Sequence, residues 1–539
     1  MIKTAPMALA VRSVLISEPV DPCCARILRD GGLEVDERLG MSPAELVECI
    51  KDYDALIVRS ATKVTAEVLH AGERLLLVGR AGTGVDNVDV EAATRRGVIV
   101  MNTPGGNTMS AAELTCGMLL CLARFIPQAM ASMHEGKWER KKFMGTELLG
   151  KTLGIVGLGR IGREVALRMQ AFGMTTIGYD PIIPAEVSAA FGVEQLSLEQ
   201  LWPKCDFITV HTPLMPSTTG LLNDASFARC KRGVRVVNCA RGGIIDEDAL
   251  QRALESGQCG GAGLDVFIQE PPTNIALIRH PRVVCGPHLG ASTHEAQSRC
   301  GEELAQQVVE LVQGKALVGA VNAGCLGSAL APETRPWVKV AESLGAVARA
   351  VLAQGVRGAS VRVATHGDGG PAVAVLAPAV LTALLRVDGE NHLNLVNAAI
   401  FAKEAGVTVS TAHEASPPQG LEPSSTPCLS VELQGGPAIV LVGTARGEQP
   451  LLLAVNGASF LPAGAPLAGT ALLYRTAPGA HALPAVAGVL AAQGVEVRSF
   501  CVSAVGGDGA QWGLLGLSSP MATLDGLAAH VKKAMQIQF

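Results

Sequence analysis

Between about Ser13 and Asn102, short β-branched apolar runs alternate with stretches of mixed polarity: Val14 to Ile16, Leu33 to Val35, Ala55 to Val58, Leu75 to Val78 and Val98 to Met101. Runs that are apolar throughout, separated by helix-length segments, predict βαβ units whose strands are buried on both faces of a parallel sheet. A helix is then predicted from Ser110, where Ser110-Ala111-Ala112-Glu113 has the spacing of a capping box ahead of the apolar stretch Leu114 to Leu122. A second series follows with Thr152 to Val156, Thr175 to Tyr179, Phe207 to Val210, Val234 to Cys239, Ala262 to Val266 and Val283 to Cys285. Two parallel-sheet domains in series are expected. From Arg299 to Val312 the polar Glu302, Glu303 and Glu310 punctuate an apolar pattern, which predicts a helix able to return the chain to the first domain.

Past Leu330 the chain is rich in Ala, Gly, Pro and Val, with loop material from His413 to Pro427. From Ala471 to Phe539 the pattern predicts strand, helix, strand, a turn at Gly506-Gly507-Asp508-Gly509, strand, helix and strand, the order of a ferredoxin-like module.

Composition narrows the function. With 44 Lys and Arg against 49 Asp and Glu the net charge is −5, so nothing draws the whole chain to nucleic acid or acidic membranes. Only 3% of residues are aromatic, which argues against base stacking. The mean hydropathy of +0.31 raises the question of a membrane span. However, the charge-free run Gln449 to Tyr474 is broken by Asn456, Gly457, Pro462, Gly464, Pro466 and Gly469, so none is expected. Met1 to Ala10 carries one Lys and no apolar run of signal-peptide length, so no secretory leader is expected either. The 14 cysteines form no CxxC pair and no zinc spacing. Free thiols in a reducing cytoplasm and no bound metal are the expectation.

The chemistry begins where strand Thr152 to Val156 runs into Gly157-Leu158-Gly159-Arg160-Ile161-Gly162, and a second strand ends at Asp180, 23 residues after Gly157. Glycines between a strand and a helix let the backbone approach a pyrophosphate at the helix N-terminus. Asp180 is placed to accept hydrogen bonds from ribose hydroxyls and to repel a 2′-phosphate, so NAD is favoured over NADP. Three further strands end in polar groups: one leads to Arg241, one to Glu270 and one to His288. Carboxyl ends of parallel strands line a common crevice, so the three are expected to converge. Together they suit removal of hydrogen from a 2-hydroxy acid: His288 takes the hydroxyl proton, Glu270 fixes its tautomer, and Arg241 holds the substrate carboxylate through two N–H bonds.

At these residues the chain resembles the D-isomer-specific 2-hydroxyacid dehydrogenases. The likeness is carried by Leu56-Ile57-Val58-Arg59-Ser60, Val78-Gly79-Arg80-Ala81-Gly82-Thr83-Gly84-Val85-Asp86-Asn87, Met101-Asn102-Thr103-Pro104-Gly105-Gly106-Asn107, Gly145-Thr146-Glu147-Leu148, the glycine fingerprint and Asn238-Cys239-Ala240-Arg241-Gly242-Gly243. It is strong from Val14 to Asn322. The resemblance implies Arg241, Glu270 and His288 as catalytic residues. It implies cofactor contacts at Thr83, Gly157, Gly159, Arg160, Ile161, Gly162, Asp180, Thr212, Cys239, Ala240, Arg241, Asp265, His288, Leu289, Gly290 and Ala291. Substrate contacts are implied at Arg59, Arg80, Gly105, Gly106 and Asn107, with Arg140 and Lys141 contributing across a subunit boundary.

By the same resemblance the fold is α/β, a flavodoxin-like substrate domain (1–104 and 299–325) with an inserted Rossmann NAD domain (105–298). An α+β intervening domain (326–465) and an ACT-like module (466–539) follow. The implied reaction is NAD-dependent oxidation of 3-phosphoglycerate to 3-phosphohydroxypyruvate, the first step of serine synthesis, by a cytoplasmic homotetramer. Glyoxylate or hydroxypyruvate reduction, which needs no phosphate-binding cations, and an NAD-sensing corepressor-type scaffold are the alternatives. The loop Arg475 to His481 lacks the compact Asn-Arg-Pro-Gly sequence that holds serine in bacterial ACT modules, so serine regulation is not implied.

Overall fold

The computed structural model of the 539-residue chain describes residues 10–315, 317–352, 356–367, 373–386, 392–416, 418, 421, 427–434, 438–460 and 462–539. Residues 1–9, on which the absence of a leader was read, and 417, 419–420 and 422–426 of the predicted loop lie outside them.

The first apolar series forms five parallel strands: β1 (Ser13–Ile16), β2 (Glu34–Glu37), β3 (Ala55–Val58), β4 (Leu77–Arg80) and β5 (Ile99–Asn102), in the order β2-β1-β3-β4-β5. All four residues of β3 are buried, as a strand covered on both faces requires. The returning helix does come back, as His294–Val312, and seals one face of this sheet with Cys300, Leu304, Val308 and Leu311. It starts ahead of the expected Arg299 because the Thr293 hydroxyl caps it, accepting from the Ala296 N–H at 3.1 Å.

The capping box expected at Ser110 is not formed. The helix runs Thr108–Arg124 with Asn107 at its N-cap. Asn107 Oδ1 is taken by the Thr83 hydroxyl (2.7 Å), and Ser110, inside the first turn, pairs with Thr293 Oγ1 (2.7 Å). Gly105-Gly106-Asn107 had already turned the chain into the helix.

The second series forms β6 (Thr152–Val156), β7 (Thr175–Tyr179), β8 (Glu194–Gln195), β9 (Phe207–Val210), β10 (Val234–Asn238), β11 (Cys259–Leu264) and β12 (Val283–Cys285). Their order, β12-β11-β10-β9-β6-β7-β8, reverses direction beside β6. This reversal is the switch point at which a parallel α/β sheet opens a ligand crevice. The two-sheet α/β architecture expected from the sequence is the observed one.

Beyond it lies a mixed sheet of β13 (Ser360–His366), β14 (Thr408–Glu414), β15 (Cys428–Gln434), β16 (Ile439–Arg446), β17 (Gln449–Val455) and β18 (Ala458–Ser459), with β19 (Ala465–Pro466) against β17. The run Gln449 to Tyr474 is therefore strand and turn. Among the described residues no single helix is long and apolar enough to cross a membrane.

The last sheet is antiparallel: β20 (Thr470–Arg475), β21 (Val497–Val502), β22 (Trp512–Leu517) and β23 (Lys533–Gln538), ordered β21-β22-β20-β23. One correction applies here. The second helix of the expected ferredoxin-like order is only a 3₁₀ turn, Asp525–Leu527. Thr523 and Asp525 bond each other's hydroxyl, carboxylate and N–H groups, and Gly526 follows, so helix propagation stops within one turn. One face of this sheet, through Leu473, Trp512, Leu514 and Met535, shares a core with Val338, Ala341 and Leu344 of the helix Arg335–Leu352.

Candidate active site

The glycine loop leaves β6 at Gly157, whose φ of +95° only glycine adopts without strain. A Cβ on Gly162 would lie 2.0 Å from the Gly157 carbonyl oxygen, so the following helix (Arg160–Ala171) packs against the loop only because that side chain is missing. Gly159, the N-cap of that helix, faces open space and provides no side-chain cap, so the first N–H groups stay available to an anion. Asp180 holds the loop in place. Its Oδ2 accepts from the Leu158 N–H and its Oδ1 from the Ile182 N–H, each at 2.8 Å. Past β9 the Thr212 hydroxyl is buried without a partner beside Gly157. A glycine cradle, uncapped helix amides, an orphaned hydroxyl and a strand-end carboxylate fit a dinucleotide.

Asp265, buried after β11, accepts from the Leu289 and Gly290 N–H groups at 2.8 Å each, which fixes the loop that carries His288 to Ala291. Burial raises its carboxyl above the ordinary value against the pull of those two bonds. His288 itself sits at φ +56°, left-handed backbone that a non-glycine residue adopts only where its surroundings impose it. Its Nδ1 lies 2.8 Å from Glu270 Oε2. A carboxylate only accepts, so Nδ1–H donates and Nε2 is left with its lone pair. Glu270 is positioned in turn by the Phe267 N–H, which donates to Oε1 at 3.2 Å. Cys239 is buried and its thiol is pushed up to about 12, which removes it as a nucleophile.

Arg241 is aimed by the strand end before it: Asn238 Nδ2 donates to the Arg241 carbonyl (2.7 Å) and Asn238 Oδ1 accepts from the Ala240 N–H (3.0 Å). Arg241 then crosses to the first sheet, where its Nε donates to Asp86 Oδ2 at 2.9 Å. Arg160 crosses too, from Nη1 to the Pro104 carbonyl at 3.1 Å. From the first sheet, Arg80 at the end of β4 is charge-coupled to Arg241 and Arg59; burial, then repulsion by these two guanidiniums, lowers its pKa. Its Nε has no partner. Arg59 lies in a turn folded around the buried Glu18, which accepts from the N–H groups of Arg59, Ala61 and Thr62. The loop Gly105 to Asn107 is held by Arg299 Nε, which donates to the Gly106 carbonyl at 3.1 Å, and by Thr83.

The structure thus brings together residues from the carboxyl ends of both parallel sheets. Arg140 and Lys141 are not part of this group: both are exposed in the turns after the helix Ile126–His134, and among the described residues neither shares a hydrogen bond with it. Sequence reasoning passed over Glu18, Asp86, Asn238 and Arg299. Asn238 was within reach, being a polar residue that ends an apolar strand like those used to find Arg241, Glu270 and His288. The other three have partners far away in the chain and leave no local signal.

Residues 116–290 match the family described as D-isomer specific 2-hydroxyacid dehydrogenase, NAD binding domain, and residues 333–419 match the D-3-phosphoglycerate dehydrogenase intervening domain. The D-3-phosphoglycerate dehydrogenase of Rattus norvegicus is 57% identical over 542 residues, covering 99% of this chain and 100% of that protein. The protein of the same description from Methanocaldococcus jannaschii is 40% identical over 456 residues, 84% of this chain and 85% of that one. Among solved structures, the D-lactate dehydrogenase from Aquifex aeolicus complexed with NAD and lactic acid superposes with a TM-score of 0.52 at 28% identity, over 56% of this chain and 96% of that chain.

Proposed function

Because the chain belongs to the D-3-phosphoglycerate dehydrogenase family, NAD-dependent enzymes of the 2-hydroxyacid dehydrogenase fold, we propose that it oxidises 3-phosphoglycerate to 3-phosphohydroxypyruvate with NAD, as the first step of serine synthesis. The observation that carries the substrate is the charge imbalance in the cleft. Arg80 is repelled by both Arg241 and Arg59, and Asp86 pairs with Arg241 across the cleft. A ligand with both a carboxylate and a phosphate supplies the missing negative charge.

Bound NAD supplies the hydride acceptor. The chain's own residues do the rest. His288 Nε2 takes the proton of the substrate hydroxyl, and Glu270 holds the Nδ1–H and stabilises the imidazolium that results. Arg241 binds the carboxylate and orients the reacting carbon, Arg59 and Arg80 hold the anionic far end, and the loop Gly105 to Asn107 offers backbone N–H groups to it. Gly157 to Gly162 would hold the pyrophosphate of NAD and Asp180 its ribose, with Thr83, Thr212, Cys239, Ala240, Asp265 and Leu289 to Ala291 lining the rest of the site. Closing of the two sheets over bound substrate would exclude water from the reacting centre.

We assign the active form to a cytoplasmic homotetramer in which Arg140 and Lys141 reach a neighbouring subunit's cleft. Exposed Ile126, Met130, Met133, Trp138 and Met144 beside these cations support an assembly contact. The fourteen cysteines are all free, which suits a reducing compartment.

The test is NADH formation with 3-phosphoglycerate, glycerate and D-lactate in parallel. The phosphorylated acid should be preferred by about a hundredfold or more in kcat/KM, the worth of one or two charge-assisted contacts. Equal turnover of glycerate would move the assignment to the hydroxypyruvate reductases, and no turnover with any acid would favour a scaffold. The cofactor assignment is tested separately. Asp180→Ala should raise the KM for NAD about tenfold or more and narrow the preference for NAD over NADP, measured with saturating substrate. An unchanged preference would take Asp180 off the ribose.

A further inference from the structure

The Asp86 side chain takes part in no step above, yet it makes an ion pair that links the two sheets of the site. The turn is held on both sides. Asn102 Nδ2 donates to the Thr83 carbonyl at 2.5 Å, and Asn87 Nδ2 donates to the carbonyls of Arg59 (2.8 Å) and Thr62 (2.7 Å). Asp86 is therefore presented from a fixed backbone although its own carboxylate is largely exposed. Across the cleft it takes one particular hydrogen of Arg241, the Nε–H, at 2.9 Å. Arg241 Nη1 donates to the Ala240 carbonyl at 2.6 Å, and Nη2 lies over Gly84, where a Cβ would come within 1.7 Å of it. Of the five guanidinium hydrogens, the Nε–H and one Nη1–H are thus committed; of the three left, the edge between Nη1 and Nη2 takes one from each nitrogen, and the second Nη2–H lies on the Nε side.

We propose that Asp86 is a positioning residue for Arg241: by holding Nε across the cleft it turns the Nη1/Nη2 edge toward the substrate carboxylate. It also places a carboxylate between Arg241, with which it pairs, and Arg80, which Arg241 repels. The proposal rests on Arg241 being the carboxylate anchor. Its consequence is specific. Without Asp86 the guanidinium is free to rotate about its last side-chain bonds and offer Nε instead, so the substrate must pay the cost of ordering it. The loss falls on substrate binding, not on proton transfer at His288.

The experiment is steady-state kinetics of the full-length enzyme for Asp86→Ala and Asp86→Asn, each made in the native and in the Arg241→Lys background, with NAD affinity measured by fluorescence titration. Lysine has no Nε–H of this geometry and no edge to aim. Asp86→Ala should raise the KM for the hydroxy acid about tenfold, with kcat within about twofold and NAD affinity unchanged. Asp86→Asn, which keeps an oxygen acceptor for Nε but not the charge, should raise it by about threefold. In the Arg241→Lys background, Asp86→Ala should change KM by less than about twofold. The proposal is overturned if Asp86→Ala raises KM by the same factor in both backgrounds, lowers kcat instead, or leaves KM unchanged. A fall in KM would overturn it too, because Asp86 would then be a competitor for the substrate's place. If Arg241→Lys alone leaves KM unchanged, the anchor itself is wrong and Asp86 has nothing to position.

Discussion

Replacing His288 with Asn should lower kcat by about a hundred- to ten-thousandfold while NAD binding is retained, since general-base catalysis by a placed imidazole contributes on that order. Asparagine is the informative substitution because position 288 has φ +56°, a conformation that Asn tolerates and most other residues do not. Alanine would mix backbone strain with loss of the base. NAD affinity should survive because the loop is fixed by main-chain bonds: the His288 N–H donates to the Asp265 carbonyl, and the Leu289 and Gly290 N–H groups donate to the Asp265 side chain. Glu270→Gln should cost less, about ten- to a hundredfold in kcat, because the amide still accepts from Nδ1–H but offers no charge to the imidazolium. Stopped-flow measurement of NADH formation in a single turnover separates these losses from product release. A His288→Asn enzyme within about tenfold of the native rate would remove the histidine from the proton-transfer step.

How much of this was legible in the sequence depended on how far apart the interacting residues lie. The glycine fingerprint declared itself because its parts are local: strand, Gly157 to Gly162, helix and Asp180 fall within one βαβ unit, and each residue type has one physical reason to be there. Arg241, Glu270 and His288 were picked out by a rule of topology, that polar residues closing apolar parallel strands face one edge of the sheet; the structure pairs His288 with Glu270 and carries Arg241 across to Asp86. Nothing comparable announces Asp86, whose partner is 155 residues away, or Glu18, whose bonds reach 41 to 44 residues ahead. Their roles come from how two sheets face each other, which no periodicity encodes. The misread local features have local causes. Ser110 sits inside the first turn of its helix because Gly105 and Gly106 had already set the entry, the returning helix starts early where Thr293 caps it, and the second C-terminal helix gave way where Thr523, Asp525 and Gly526 favour a turn.

The substitution that separates a phosphorylated from an unphosphorylated substrate is Arg80→Met. Methionine keeps most of the apolar stem of a side chain set into the end of β4 and removes only the charge and its donors. In the free protein that charge is unfavourable: the side chain is largely buried, Arg241 and Arg59 repel it, and its Nε has no partner. The variant should therefore unfold at the same temperature as the native enzyme or higher. Its kcat/KM for 3-phosphoglycerate should nevertheless fall about ten- to a hundredfold, since a charge-assisted hydrogen bond contributes about 1.5–3 kcal/mol. Glycerate should lose less than about threefold, because Arg241 still holds its carboxylate and it has no phosphate to miss. A group that costs stability in the empty cleft and is required only when a dianion is present is there for the ligand, and the two readouts, melting temperature and the ratio of the two specificity constants, move in opposite senses only if that is so. Equal losses on both acids would instead place Arg80 at the shared carboxylate and return the phosphate to Arg59 and the loop Gly105 to Asn107.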